Sequence, residues 1–440
     1  MNRLLKRFFT DSRELLYTTD GRNDNKSLSR LAMVFAIFAA LGVSIGIPFS
    51  GDNAYYIILT ISVLFIIYKG GFKISMPFAA LYFIILVNVT IVDIPSFFKP
   101  FQRAMLFMML TLVCSSAMPT AAAIIFRRYL FRYIIISMLI ISVGSFFCFF
   151  LGINLMNIPK QVLDAYGGYE SRGGWFSGLT SHSMMLGPIS MMSALTFYFI
   201  YQKRSNNLYL LLFFMSAMSA VFSASRGSLF ALGVAIVFNL IFGKVDARIR
   251  KRMIGILAAS ALLAIPIAGR AFKGVINKQE SNEKSGSVFS SRQSKFNYRI
   301  EEFKSSPLFG VGFSAIDTTS GDNFLPANGT IEPGSSHLAV LSMTGLTGAL
   351  AYLFILYKAY CNARSSRSLR SRFVLSCLIA LFIHAWFEGY IFAGGNYMAL
   401  VYWLVIGQCI DSPDIVRALS RGKKRVVGFR HELPRKWADK

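Results

Sequence analysis

The chain is divided into long apolar runs separated by short clusters of arginine and lysine. A bilayer core about 30 Å thick is crossed by a helix of roughly 20 mostly apolar residues. Twelve runs approach that length, near residues 31–49, 54–68, 76–92, 104–126, 133–156, 182–201, 207–224, 228–243, 253–268, 337–357, 373–391 and 394–410. Only 15% of the 440 residues are charged, against about 25% in a typical soluble protein. The pattern predicts an all-α polytopic integral membrane protein of about 12 transmembrane helices. Some thirty mostly polar residues precede the first run and no small-residue cleavage site ends it, so it reads as a span and not as a signal peptide.

The formal net charge is +25, from 46 Lys+Arg against 21 Asp+Glu. An excess of that size suits a nucleic-acid binder or a membrane protein held by its cytoplasmic cations. The basic residues occur in small groups between apolar runs instead of patterning one face, which excludes a nucleic-acid partner. With both termini placed in the cytoplasm, 33 of the 46 fall in cytoplasmic pieces, including one at 127–132, and 8 of the other 13 fall in a single loop, 269–336. That asymmetry follows the positive-inside rule.

The resulting organisation is a basic cytoplasmic tail at 1–30, an integral domain at 31–410 and a second basic tail at 411–440. The tails are suited to anionic membrane lipids. The loop 269–336, between the ninth and tenth spans, is long and nearly neutral, with 8 basic and 7 acidic residues. Its stretch 280–292 reads as flexible or surface-lying, and its aromatics between Phe303 and Phe313 are placed to pack on the membrane surface. A polar loop of that size on one side directs function outward. The five cysteines lie in spans or cytoplasmic segments, with neither a disulfide framework nor a metal-ligand spacing.

Several residues at the outer face carry potential chemistry. Arg226 lies in Ser223-Ala224-Ser225-Arg226-Gly227-Ser228 between two apolar runs. An arginine at a membrane boundary is costly unless paired or hydrated, and its planar fork suits phosphate oxygens. A snorkelling arginine on lipid phosphate is the plainer reading of the same residue. His337 opens the tenth span and is suited to act as a general base on a hydroxyl, or merely to cap a helix. His182 opens the sixth span in a similar place. His384 lies mid-span with Glu388 one turn later, a spacing open to a proton relay or to a surface site. Arg172, Arg270 and Arg299 complete an outward cationic set that would stabilise a departing diphosphate without a metal or other cofactor. No Asp-x-Asp occurs, so a metal-bound nucleotide-sugar site finds no support.

These segments resemble the O-antigen ligase/O-antigen polymerase superfamily. Ser225-Arg226-Gly227-Ser228-Leu229-Phe230 is similar to its Ser-Arg-Gly start, and Ser306-Pro307-Leu308-Phe309-Gly310-Val311-Gly312 to its loop motif. His337 with Gly345 and Gly348 resembles the helix that follows, and Arg172-Gly173-Gly174-Trp175-Phe176-Ser177-Gly178 an upstream segment. The motifs span roughly 170–360. The family commonly has a polar residue after this histidine and an acid further on, where this chain has Leu338, Ser342 and Met343. An acid supporting His337 must therefore come from elsewhere, and Glu388 and Glu332 are the candidates.

The resemblance implies a metal-independent, inverting glycosyltransferase in a bacterial inner membrane, with its active site facing the periplasm. Its donor would be an undecaprenyl-diphosphate-linked oligosaccharide held by Arg226 and Arg172, with His337 activating the acceptor. A polymerase uses an acceptor glycan, and a ligase uses lipid A–core; other polysaccharide-assembly proteins are possible partners. Arg299 and Gly310 fit an Arg-x10-Gly spacing associated with polymerases, and the neutral loop is poorly matched to a phosphate-rich core. The expectation is therefore a polymerase of O-antigen or exopolysaccharide, with lipopolysaccharide ligation as the alternative. A lipid-linked oligosaccharide flippase would need paired halves or charges deep in spans, which are absent apart from His384.

Overall fold

The computed structural model of the chain describes residues 10–16, 26–44, 52–155, 176–243, 245–255, 290–316, 334–366 and 368–411. Its main helices are α1 (Lys26–Val43), α2 (Asp52–Gly70), α3 (Met76–Ile91), α4 (Pro100–Cys114), α5 (Ala121–Phe150), α6 (Ser183–Arg204), α7 (Asn207–Phe222), α8 (Arg226–Phe242), α9 (Ser290–Ser305), α10 (Ser336–Ser365), α11 (Leu369–His384) and α12 (Tyr397–Ile410). Among the described residues the only β feature is one bridge, Ser44 to Thr180.

Helix starts follow local chemistry. Asn206 accepts from the Leu208 N–H at 3.0 Å, Asn396 from Met398 at 2.7 Å and Ser368 from Ser371 at 3.1 Å, each satisfying a backbone donor that the first turn leaves unpaired. Pro77 and Pro100 sit in first turns, where a missing N–H costs nothing.

α6 and α12 are buried along almost their whole length. The other helices surround them, α6 against α5, α7, α8 and α11, and α12 against α10 and α11. The outer helices turn large apolar side chains away from the protein, among them Ile57, Leu64, Phe83, Ile140, Phe230, Ile241 and Leu353. A bundle apolar both inside and out is what a lipid solvent selects. Among the described residues, five helical segments are long and apolar enough to span a bilayer: Lys26–Val43, Ser96–Cys114, Ala121–Phe150, Ser183–Arg204 and Ser336–Ser365. α2, α3, α7, α8 and α12 are shorter apolar helices. The expected span at 253–268 lies almost wholly outside the described residues.

The structure differs from the sequence reading in four places. The run expected as one span at 104–126 is broken at 115–120, and α5 then runs through 127–132, which the charge pattern had made a loop. Arg127 is buried in that helix and bonds Asp411 at the end of α12 (Nη2 to Oδ2, 2.7 Å) and the Met118 carbonyl (3.0 Å); Ser116 donates to the same carboxylate at 2.8 Å. The cation is inside because its partner is inside. α11 stops at His384, so the expected span 373–391 ends early and residues 385–396 form an irregular connector. The long loop contains the amphipathic helix α9. Finally, Phe313 does not reach the membrane surface: it is fully buried against Phe107 and Phe392, with ring centroids 5.7 and 5.1 Å away.

α10 is not straight. Gly345 has φ 62° and ψ −164°, and the helix folds back there into a short arm, Ser336–Thr344, and a long arm, Leu346–Ser365. Fifteen residues of straight helix would separate His337 and Tyr352 by about 22 Å, yet their ring centroids are 6.0 Å apart. Residues 306–312 fill the break. Val311 and Gly312 donate to the Ser342 and Met343 carbonyls (2.9 and 3.3 Å), while Leu346 and Thr347 donate to Pro307 and Leu308 (2.8 and 3.3 Å). The inserted segment thus replaces the hydrogen bonds that the bend removes.

Candidate active site

The short arm of α10 begins with Ser335, whose hydroxyl caps Leu338. Ser336 is held by the connector through five bonds: its N–H donates to the Ala385 and Glu388 carbonyls (2.9 and 3.1 Å), its hydroxyl donates to the Glu388 carbonyl (2.6 Å), and that hydroxyl accepts from the Tyr390 and Ile391 N–H groups (2.8 and 3.3 Å). Burial pushes the pKa of the Tyr390 phenol up, keeping it a donor to the Leu381 carbonyl at 3.0 Å.

His337 is half-buried. Its Nε2 lies 2.9 Å from the Phe382 carbonyl, and a carbonyl can only accept, so Nε2 carries a proton. Nδ1 lies 3.3 Å from the Tyr352 hydroxyl, which in turn contacts the Tyr402 hydroxyl. The imidazole packs on Phe382 and Trp386 at 4.4 and 4.9 Å. A backbone carbonyl therefore orients the ring in place of the carboxylate that the sequence led us to seek. The bonds between Glu388 and Ser336 run through the Glu388 main chain, and Glu332 lies outside the described residues.

Arg226 is exposed at the first turn of α8. The residues around it face inward. Ser225 and Ser228 share a hydrogen bond of 2.8 Å and lie against Gly187 of α6, where any Cβ would overlap both hydroxyls. Gly227 lies against Phe387, with its built Cβ 3.0 Å from the phenylalanine Cβ. A tightly packed Ser-x-Gly-Ser frame thus holds one outward arginine. Phe387 and Trp386 are consecutive, so adjacent connector residues brace the Arg226 helix start and the His337 ring.

The other predicted positions separate. His182 caps α6, its Nδ1 accepting from Met184 at 3.1 Å, and its carbonyl accepts from Thr180 at 3.0 Å. Arg299 is buried, with Nη1 2.7 Å from Glu302 and 3.2 Å from the Ser342 hydroxyl, clamping α9 to the short arm. His384 ends α11, its Nδ1 3.3 Å from the Tyr390 hydroxyl, and the helix does not continue to Glu388, so the one-turn relay spacing of a continuous helix is not formed. Arg172 and Arg270 lie outside the described residues.

Sequence reasoning missed three contributors. Asn88 in α3 donates to the Phe309 and Met343 carbonyls (2.5 and 3.3 Å) and accepts from the Phe313 N–H, joining the inserted loop to the bend of α10. The signal was an amide inside an apolar run, which is costly in a membrane unless it has a task. Arg103, in the first turn of α4, donates from Nη1 to the carbonyl and hydroxyl of Ser314, both at 3.2 Å. The connector 385–396 was the third, marked only by Gly389, Gly394, Gly395 and Asn396.

The fold and these surroundings define a helical integral membrane protein with a histidine and an outward arginine braced by one connector. Residues 210–356 match the sequence family described as O-antigen ligase, which bears out the resemblance to the O-antigen ligase/polymerase superfamily. The matched segment runs from α7 into the long arm of α10 and includes Arg226, Arg270, Arg299, His337 and Gly345. No curated protein matches the chain.

Proposed function

We propose that the chain is a membrane glycosyltransferase that takes its glycan from an undecaprenyl diphosphate carrier at the periplasmic face. The observation that carries the reading is the shared bracing of Arg226 and His337 by Phe387 and Trp386, with both residues inside the segment that matches the O-antigen ligase family. An acceptor hydroxyl attacks the anomeric carbon, and the bond to the diphosphate oxygen breaks with inversion. The electron pair leaves with undecaprenyl diphosphate, whose growing charge Arg226, with Arg172 and Arg270, stabilises. The hydroxyl proton passes to Nδ1 of His337, the basic nitrogen left once Nε2–H is committed to Phe382. The acceptor hydroxyl then takes the place that the Tyr352 hydroxyl holds here.

Polymerisation of O-antigen or exopolysaccharide units is the favoured reaction, supported by the Arg299-x10-Gly310 spacing, and transfer to lipid A–core is the alternative. Arg226→Ala and His337→Ala should each abolish polymer while the protein still accumulates in membranes. Normal glycan in either strain would sink the assignment. In a deletion strain, one repeat unit on the core indicates a lost polymerase, and full polymer left on undecaprenyl diphosphate indicates a lost ligase. Unflipped cytoplasmic glycan indicates a transporter.

A further inference from the structure

We infer that a cavity beside the short α10 arm, on the helical face next to that of His337, is the subsite for the acceptor saccharide; the inference rests on the glycosyltransferase reading above. The cavity has a volume of about 420 Å³ and is lined by Tyr56, Arg103, Ser314, Ser336, Tyr390 and Asn396 among others. That volume lies in the range of roughly 300–1,000 Å³ usual for small-molecule sites. Ser336, Ala339 and Met343 supply one wall at the spacing of a single helical face. His337 belongs to the neighbouring face, against Phe382 and Trp386. The cavity is therefore separate from the histidine and adjacent to it.

The lining has the chemistry of a sugar. A pyranose presents apolar C–H faces and a rim of hydroxyls. Here the aromatic residues Tyr56, Tyr390 and Phe392 line the same space as the polar residues Ser314, Ser336, Asn396 and Arg103. Arg103 is anchored through Nη1 to Ser314, which fixes the direction of its planar fork. No carboxylate lines the cavity among the described residues. The Arg103 guanidinium therefore suits neutral and acidic saccharides. The opposite wall is backbone-rich, running from Gly389 through Gly394 and Gly395, and bare backbone supplies donors and acceptors to a polyhydroxylated ligand. The Tyr55 hydroxyl steadies that wall by donating to the Gly394 carbonyl at 3.2 Å. Ser336 completes the link: it lines the cavity, and the next residue is His337.

The test uses the purified full-length protein in nanodiscs and an oligosaccharide released by partial hydrolysis of the source bacterium's own polysaccharide. Saturation-transfer NMR should show the sugar bound to wild type and, equally, to Arg226→Ala. Arg103→Gln and Gly395→Leu should each weaken it roughly tenfold or more. Gly395 accepts a side chain without strain, since its φ is not positive and a Cβ would lie 3.6 Å from Leu106, so Leu there fills the cavity while unchanged thermal midpoints report an intact fold. Absence of transfer with wild type overturns the inference, as does wild-type binding by both cavity variants. Loss in Arg226→Ala alone would move the saccharide to the other site. Failure of the catalytic reading shows separately, as normal cellular glycan in Arg226→Ala, and leaves the binding result standing.

Discussion

Gly345 lies so close to Leu308 that a Cβ on the glycine would overlap the leucine carbonyl group. The contact exists because α10 folds back at a residue with φ 62° and ψ −164°, backbone that only glycine adopts readily. Gly310 answers from the other side, where a built Cβ would lie 2.5 Å from the Ser342 carbonyl oxygen. Two glycines from separate motifs are thus the two halves of one joint.

Gly345→Ala should therefore cost at least about 2 kcal/mol, from backbone strain together with overlap. Thermal unfolding in detergent checks this, with Gly233→Ala as the control because nothing lies within 4 Å of a Cβ there. Equal midpoints for the two variants would refute the account of the bend.

Asn88→Ala should strand the Phe313 N–H, remove the donor to the Phe309 carbonyl and leave the Met343 carbonyl only its bond from Gly312, at about 1–3 kcal/mol. Asn88→Asp should be at least as damaging, since a carboxylate offers no donor to Phe309 or Met343. Limited proteolysis of residues 306–316 is the readout, and faster cleavage in both variants is expected.

The Arg127–Asp411 pair is buried on both sides, with side-chain exposures of 0% and 5%. Breaking it from one side leaves a lone charge and should cost about 3–5 kcal/mol, whereas replacing both residues together should cost much less. Thermal midpoints of Arg127→Leu, Asp411→Leu and the double variant decide it; strictly additive losses would show that the two side chains do not act as a pair.

Arg299 separates two roles. If it clamps α9, Arg299→Met alone should destabilise by about 3 kcal/mol through loss of its buried ion pair with Glu302, and Arg299→Met with Glu302→Leu should recover both abundance and polymer. If Arg299 binds substrate, the double variant stays inactive at normal abundance.

Hydropathy made the helical membrane character legible, because every apolar run that falls among the described residues meets helix. Its boundaries failed where one physical cue overrode another. Arg127, Arg128 and Arg132 read as a loop because charge outside a membrane is the default, but Asp411, nearly three hundred residues later, was invisible to a local count. Residues 115–120 carry no charge and so did not interrupt the run, although Pro119 and the capping Thr120 marked a new helix start. In the same way Trp386, Phe387 and Tyr390 disguised the connector as span. Of the candidate site, Arg226 and His337 were legible because unusual residues stood at apolar boundaries. Their shared brace was not, since packing between Gly227 and Phe387 leaves no periodic trace. Asn88 and Arg103 were visible as letters, but their partners at 309–314 are set by a loop whose course the sequence does not specify.

The joint at Gly345 also has a history in the making of the protein. Two adjacent helical stretches, left to themselves, extend into one rod, because each added residue gains a bond to its own neighbours. Here the competing partners come from Pro307 to Gly312, on the far side of a stretch of chain that must first be delivered to the same end of the bundle. The bend is therefore held by contacts from outside the helix, and a chain that lost those from residues 307–312 would favour one overlong rod, with His337 carried away from Tyr352.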